Sequence, residues 1–403
     1  LLILSLLLLT ATSASAQTAY AVWCAGAKTL YFDYTTSSIT TGGTYEGQTV
    51  TNVWSGEDVT NSGFVYRSGR SEPTYCAWYD AAHAQAEKVV IKHDFYSAPV
   101  IRTDGWFMNF SKLTTVEGLS NMPRGTTRTA YMFNECSSLT SLDLSGFDTS
   151  KSTNMTMMFN NCKALTTINL AGFDTSSSQN MMSMFRNCSK LTSLDLSNFN
   201  TSNVTTMMQM FTACSKLTSL DFSSFDTSNV TSMRDMFSWC TSLTSLDLSS
   251  FNTSKVTTMM QMFDFCSSLV TLDLSNFDMS KVETMSGMFG ACSQLQTIYC
   301  NATVASDVGN AMFSDCTSLV GAVAFDSSKT GSDMANPDTG YFTRKEPEEV
   351  YGITISGTQV TSLNKDDLTK INGVTASEGG YARFDPETNT LTLCGVEVSD
   401  LYI

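Results

Sequence analysis

Apolar and polar residues recur along the middle of this chain with a fixed period of 26 residues. One such unit, residues 191–216, reads LTSLDLSNFNTSNVTTMMQMFTACSK. A Phe and, three residues later, a Cys occupy the same two positions in successive units. These repeat residues are Phe133, Cys136, Phe159, Cys162, Phe185, Cys188, Phe211, Cys214, Phe237, Cys240, Phe263, Cys266, Phe289 and Cys292. Such a period is typical of repeat arrays, in which each unit buries its apolar face against its neighbours.

Each unit contains two patterns of different spacing. Leu191, Leu194 and Leu196 follow LxxLxL, and the last two leucines alternate with Asp195, which predicts a short strand. Apolar residues then recur at three- and four-residue steps, which predicts one face of a short helix. Those residues are Val204, Met207, Met210, Phe211 and Cys214. The polar stretch 200–202 between the two patterns is a natural helix N-cap.

The two patterns together predict an α/β solenoid over residues 106–345, built from strand, capped turn and short helix. Stacking the units would place their strands in parallel, about 4.8 Å apart. The consensus LxxLDLSxFDTSxVxxMxxMFxxC resembles the repeat of the BspA-like leucine-rich-repeat surface proteins of bacteria. That resemblance implies a right-handed, leucine-rich-repeat-like array that is secreted or held at the cell surface and adheres to host proteins, matrix or other bacteria. The unit at 107–132 departs from the consensus, because it has Phe110 where the Cys is expected.

The segments on either side of the repeats differ from them in composition. Residues 1–16 read as the apolar core and small-residue cleavage site of a partial signal peptide, and the apolar run is too short to span a membrane. Residues 17–105 are rich in aromatics and predict an N-terminal β cap that shields the first unit, with a small glycan-binding module as the alternative. Residues 346–350 form a polar linker. Residues 351–403 alternate as strands and resemble the start of a truncated β-rich, carbohydrate-binding-type domain.

Charge and composition exclude several function classes. Acidic residues outnumber basic ones by 38 to 23, so the net charge is −15, which argues against nucleic-acid binding. The two histidines are His83 and His93, so the repeats hold none. The motifs of common hydrolases and nucleotide-binding enzymes are absent. We therefore expect no catalytic residue, no metal ligand and no cofactor.

Five aspartates occupy one polar position of the predicted strands. They are Asp143, Asp195, Asp221, Asp247 and Asp273. We name them the aspartate row and place it on the concave face of the array. Hydrogen bonds to neighbouring Ser and Thr would account for the row. Calcium binding and attraction of a basic partner are the alternatives.

Trp239 and Phe265 stand just before the repeat cysteine, where other units have Glu, Asn or Ala. Because they fall at the same position of adjacent units, we expect them to contact each other and to form a partner site, or to pack together without function. The repeat cysteines should not pair, because stacked units hold their Cα–Cβ bonds parallel. Cys24 and Cys76 lie outside the array, and the sequence leaves open whether they form a disulfide.

The sequence leaves two functions open. The first is a secreted or surface protein that binds a protein or glycan partner without catalysis. The alternative is a passive spacer that presents the C-terminal β segment, where the glycan recognition would then reside.

Overall fold

The computed structural model describes residues 16–345, apart from 61–74, 101 and 306, and then residues 350–355, 358–361, 368, 374–387, 390–398 and 401–402. Backbone contacts divide the chain into two compact parts, Leu1–Arg344 and Lys345–Ile403. All but the last residue of the predicted signal, and most of the predicted linker, lie outside the described residues.

The first part begins with short strands and two single-turn helices. In chain order they are β1 (Thr18–Cys24), β2 (Thr29–Thr35), β3 (Thr44–Tyr45), β4 (Gln48–Thr49), β5 (Asn52–Ser55), α1 (Glu57–Thr60), α2 (Tyr79–Ala82), β6 (Lys88–Ile91) and β7 (Thr115–Glu117). Five of them form a sheet in the order β5-β1-β2-β6-β7. Strand β7 belongs to the first repeat unit and pairs in parallel with β6, so the N-terminal sheet continues directly into the repeats.

The aromatic residues of this N-terminal sheet face inward. Trp23, Phe32 and Trp78 are almost fully buried. Phe32 stacks on Trp106 of the first repeat unit, with ring centroids 5.0 Å apart and planes at 14°. Trp78 also contacts Trp106, with centroids 5.1 Å apart, so Phe32 and Trp78 stabilise the contact with the repeats. The glycan-binding alternative for residues 17–105 stays a prediction, and it would have to use aromatic residues other than these three buried rings.

The predicted strands form hydrogen-bonded ladders at both ends of the repeat array. Near its start, β8 (Ser141–Asp143) pairs in parallel with β9 (Thr167–Asn169). Near its end, β10 (Thr271–Asp273), β11 (Thr297–Tyr299) and β12 (Phe342–Thr343) form a parallel three-stranded sheet. In the described units between these two groups, no backbone hydrogen bond joins segments 192–196, 218–222 and 244–248 to one another.

The prediction of a short helix in each unit is wrong. Among the described residues of 106–345, the only helical segments are 3-10 turns at Leu119–Asn121 and Ser332–Met334. Alternate N–H groups of the predicted helix donate to the next unit instead, as Gln209 does to Arg234 and Phe211 does to Met236. The intervening N–H groups close tight turns by donating to the carbonyl three residues earlier, as the N–H of Met210 does to Met207. The backbone hydrogen bonds of this segment are therefore made largely between units, whereas those of an isolated helix would be made within the helix.

The side chains that spaced like a helix face are nonetheless buried. Phe211 lies between Phe185 and Phe237 with its ring centroid 5.9 and 5.8 Å from theirs and the ring planes nearly parallel. Equivalent rings follow one another along the array in a stack that we name the inner phenylalanine row. Its members are Phe107, Phe133, Phe159, Phe185, Phe211, Phe237, Phe263, Phe289 and Phe313. One apolar core therefore runs through the N-terminal sheet and all the described repeats.

The segment expected to cap a helix links adjacent units. Asn200 Oδ1 accepts hydrogen bonds from the backbone and side chain of Ser202, which closes a local turn. The hydroxyl of Thr201 is fully buried, donates to the carbonyl of Asp226 at 2.8 Å and accepts from its N–H at 2.9 Å. Other units repeat the contact from the hydroxyl to the next unit's carbonyl. We name the residues that make it the threonine row, namely Thr149, Thr175, Thr201, Thr227 and Thr253.

The second part consists of two small sheets. Strands β13 (Val350–Ile355), β14 (Thr358–Thr361) and β17 (Leu401–Tyr402) form one sheet in the order β14-β13-β17. Strands β15 (Val374–Asp385) and β16 (Thr390–Val398) pair as an antiparallel hairpin. A separate small core contains Ile355, Val360, Leu368, Ala382 and Phe384.

Candidate functional site

Trp239 and Phe265 occupy a backbone position with unusual geometry. The residue just before each repeat cysteine has a positive φ, which is 62° at Trp239 and 58° at Phe265. In most other units this position holds Asn, Ala, Glu or Asp. Bulky side chains are disfavoured in the left-handed region, whereas Asn tolerates it. Trp and Phe are therefore unfavourable residues for this backbone conformation, and their presence at this position needs a separate explanation.

The structure brings these two rings into contact. The centroids of Trp239 and Phe265 lie 3.8 Å apart with their planes at 10°, and we name them the aromatic pair. Their exposed fractions are 47% and 36%, so they are among the most exposed large apolar side chains of the described residues. The same position holds Ala213 in the preceding unit and Ala291 in the following one. Neither adjacent unit therefore places a third aromatic ring at this position, and part of each ring of the pair is accessible to a partner.

A buried carboxyl group lies beside the aromatic pair. The backbone carbonyl of Asp264 accepts a hydrogen bond from the N–H of Trp239, and Asp264 is only 8% exposed. Burial raises the pKa of Asp264 to about 6, and the neighbouring Asp235 acts in the same direction, while a hydrogen bond from Gln261 opposes the change. Gly290 makes room for this carboxyl group, because a Cβ there would lie 2.5 Å from Asp264 Oδ1.

The raised pKa of Asp264 predicts a pH dependence of stability. Between about pH 4 and pH 6 the folded chain keeps a proton that the unfolded chain has lost, so this group's contribution to the free energy of unfolding falls as pH rises. Asp264→Asn, which is always neutral, should therefore raise the free energy of unfolding at pH 7 by about 2 kcal/mol. The gain should disappear below about pH 4. Urea unfolding curves across this pH range measure both effects.

Asp195→Asn is the matched control for this prediction. Asp195 is exposed, and hydrogen bonds from Ser197 hold the pKa of its carboxyl below the ordinary value. Removing its charge should leave stability at pH 7 unchanged or slightly lower, the opposite direction from Asp264→Asn. A lower stability of Asp264→Asn at pH 7 would contradict the prediction.

The aspartate row is held by local turns. In each member Oδ1 accepts the N–H of the serine two residues later, over 2.8 to 3.0 Å. These backbone and side-chain hydrogen bonds lower the pKa of the carboxyl in four members, which are Asp143, Asp195, Asp221 and Asp247. Asn169 fills the gap in the row and donates to Asp143 Oδ1 at 2.9 Å. The carboxyl groups of these four members are thus ionised and exposed at the surface, and the local turns explain the geometry of the row.

A second acidic row was missed in the sequence. The first residue of each DTS or NTS triplet, and of the equivalent DMS at residues 278–280, accepts the N–H of the serine two residues later in the same way. These residues are Asp148, Asp174, Asn200, Asp226, Asn252 and Asp278. The recurring triplet was the available signal, but it was interpreted as a helix cap. Because the predicted helix is absent, the triplet closes a turn and places further carboxylates on the surface.

The cysteines are structural. All eleven whose side chains the structure describes are buried and none of them is in a disulfide, so the disulfide left open for Cys24 and Cys76 is not formed. The two thiols belong to different apolar clusters. In the repeats each thiol contacts the carbonyl of an earlier phenylalanine, as Cys214 does that of Phe185 at 3.0 Å. Burial raises the pKa of Cys214 to about 12, which keeps it a thiol of low reactivity.

Two searches of the described residues bear on metals and membranes. No group of three or more His, Cys, Asp or Glu side chains is arranged to hold a metal ion among them. The helices in that part of the chain are also too short or too polar to cross a membrane.

Comparison with known proteins adds one finding. No curated protein and no solved structure matches the chain. Two overlapping stretches of the repeat region, residues 127–220 and 214–325, match the model of a family described as "Mycoplasma protein of unknown function, DUF285". The chain is therefore a repeat protein whose central units are similar to this family.

Proposed function

We propose that this chain is a secreted or cell-surface solenoid that binds a protein or glycan partner without catalysis. In this proposal the units of residues 106–345 stack as a right-handed, leucine-rich-repeat-like array. The parallel bridges between residues 26 positions apart, such as Asn154 to Asn180, support the stacking. The apolar run and small residues at the start of the sequence support export.

The aromatic pair is the observation that carries the binding proposal. Its two rings are partly exposed, stacked on each other, and followed on either side by alanine at the same position of the adjacent unit. Their backbone positions favour Asn, so retaining Trp and Phe there has a conformational cost of about 1–2 kcal/mol per residue. Tryptophan is one of the residues enriched among those that carry most of the binding energy in interfaces. The apolar face of a sugar ring or an apolar side chain would fit against either ring.

The acidic rows would act at longer range. The aspartate row and the second acidic row add to a net charge of −15, so a partner with a basic surface would be attracted during encounter. This contribution should fall with ionic strength, whereas the contact with the aromatic pair should not.

Trp239→Asn tests the binding site with little disturbance of the fold. The replacement installs the residue found at this position in the units of Asn161 and Asn187, which favours the backbone but loses the ring stacking. We expect the free energy of unfolding to change by less than about 1 kcal/mol. Binding to whichever purified matrix protein or glycan the native chain recognises on an array should weaken at least about tenfold.

Asn187→Ala is the control, because it changes the same position two units away from the aromatic pair. It should leave binding unchanged. Native affinity in Trp239→Asn would contradict the assignment of the site.

The alternative is a spacer that presents the second part of the chain. The observation in its favour is that the described residues of that part form an apolar core of their own. Comparing the full chain with a fragment of residues 17–345 separates the two functions. The fragment should keep binding if the repeats bind, and lose it if the C-terminal sheets do.

A further inference from the structure

Asp264 is a carboxyl group with few partners, and it lies beside the aromatic pair. The residue is 8% exposed, and its side chain accepts one hydrogen bond, from Gln261 to Oδ2 at 3.3 Å. Oδ1 accepts no hydrogen bond within the described residues, and it is not one of their fully enclosed polar atoms, so solvent reaches it. The other units from residue 133 onward have Asn, Arg, Thr, Ser or Gly at this position. Burying a carboxylate with so few partners is unfavourable, so packing does not explain the aspartate.

The free oxygen of Asp264 and the accessible side of Phe265 are directed toward the same unit. Trp239 covers one face of Phe265, so the exposure of Phe265 comes from its other face and its edge. That other face is directed toward the following unit, which has Ala291 at the same position. Asp264 Oδ1 also points to that unit, because a Cβ on Gly290 would lie 2.5 Å from it. The Cα atoms of Asp264 and Phe265 are about 3.8 Å apart, so one ligand group can contact both side chains.

The charged and titratable groups around Asp264 leave its charge uncompensated. Asp235 raises the pKa of Asp264, and the Asp235 carboxylate is itself held by Arg234 at 3.1 Å and by Gln209 at 3.2 Å. Three thiols also face Asp264 and stay neutral at pH 7, because burial raises their pKa; they belong to Cys266, Cys292 and Cys316. Within the described part of the chain, no lysine or arginine lowers the pKa of Asp264.

Two unfavourable features therefore meet at this place in the array. Trp239 and Phe265 have a left-handed backbone that bulky residues avoid, and Asp264 is a nearly buried carboxyl group. Features that lower stability persist mainly where function requires them. A cation would be favoured by both groups at once, because an aromatic face attracts positive charge and a carboxylate accepts hydrogen bonds from it.

We propose that the accessible side of Phe265 and the carboxylate of Asp264 form a binding site for an arginine side chain of a protein partner. The guanidinium plane lies against the ring, and its N–H groups donate to Oδ1 of Asp264. Arginine suits the site better than lysine, because a flat guanidinium stacks on a ring and pairs with a carboxylate at the same time. The net charge of −15 favours a basic partner as well. This inference rests on the proposed function and narrows its partner to a protein with basic side chains.

A short peptide with one arginine between glycines tests the site. Its counterpart carries citrulline, which has nearly the same shape and no charge. Both are titrated into the full chain at pH 7, and binding is followed by the NMR signal of the Trp239 indole N–H, which is identified by its absence from Trp239→Asn. The arginine peptide should bind saturably, and the citrulline peptide at least about fivefold more weakly.

The pH dependence of peptide binding separates this site from the acidic rows. Because the pKa of Asp264 is about 6, the group is mostly protonated at pH 5, and the arginine peptide should bind about tenfold more weakly there than at pH 7. Arginine stays charged throughout this range. So do Asp143, Asp195, Asp221 and Asp247, because hydrogen bonds lower the pKa of each.

Asp264→Asn should weaken binding although it makes the chain more stable. At pH 7 its affinity for the arginine peptide should fall about tenfold, and the difference between pH 5 and pH 7 should disappear. Its melting temperature should rise, so misfolding would not account for the loss. Asp195→Asn is the control and should leave both the affinity and its pH dependence unchanged.

The proposal is overturned if the arginine peptide does not bind saturably, if the two peptides bind equally, or if Asp264→Asn binds as the native chain does. Equal binding of the two peptides would favour a neutral partner such as a glycan, and it would leave the proposed function standing. Failure of the proposed function is a separate result, because it shows as native partner affinity in Trp239→Asn on the array.

Discussion

Replacing Phe211 with alanine is expected to lower the free energy of unfolding by about 3–5 kcal/mol. The side chain is fully buried and stacks on the rings of Phe185 and Phe237 in the adjacent units. It also meets Phe222 edge to face, with centroids 6.0 Å apart. Truncation would therefore remove contacts in three units at once and open a cavity that the inner phenylalanine row cannot close without moving. Urea unfolding of the full chain measures the loss.

Val320→Ala serves as the control for Phe211→Ala. Val320 is 65% exposed, so its truncation should change the free energy of unfolding by less than about 0.5 kcal/mol. A loss below about 1 kcal/mol for Phe211→Ala would show that the units do not share a core at this position.

Replacing Thr201 with valine is expected to cost about 3 kcal/mol of unfolding free energy, although valine has nearly the same shape. The threonine hydroxyl both donates to the carbonyl of Asp226 and accepts from its N–H. Valine would leave both backbone groups without this partner next to a buried apolar side chain. Each orphaned group costs about 1–3 kcal/mol.

Thr201→Ser separates the hydroxyl from the methyl group. Serine keeps both hydrogen bonds and loses one methyl group, so the expected cost is about 1 kcal/mol. The order native, Thr201→Ser, Thr201→Val in decreasing stability, from urea unfolding curves, would support the role of the hydroxyl. A serine variant less stable than the valine variant would assign the effect to packing instead.

Much of the burial in the repeats followed from spacing alone. Leu191, Leu194, Met207 and Phe211 were all expected to face the core, and all four are buried. Each unit repeats the same apolar positions, and a residue that is apolar in every unit has to face the neighbouring units. The expected contact of Trp239 with Phe265 follows from the same reasoning, since equal positions in adjacent units lie side by side.

The backbone between those positions did not follow from spacing. Steps of three and four residues are compatible with a helix and equally with a series of tight turns. The structure has turns, with positive φ at Gln209 and Ala213 and with N–H groups directed to the next unit. Helix propensity is a weak preference that partners in adjacent units override. The sequence pattern of a single unit does not determine where the hydrogen-bond partners in the adjacent unit lie.

For the candidate site, the residue types were visible in the sequence and their energetic context was not. Trp239 and Phe265 stood out because they replace small or polar residues. Their left-handed backbone, their partial exposure and the raised pKa of Asp264 depend on neighbours one unit away.

The sequence by itself determined the period, the buried positions and the acidic surface, because these depend only on which residues recur and how far apart they lie. The tertiary structure decided the path of the backbone and the use of the threonine row. Those features depend on hydrogen bonds and ring contacts between residues about one unit apart, and such pairings come into existence only when neighbouring units pack together.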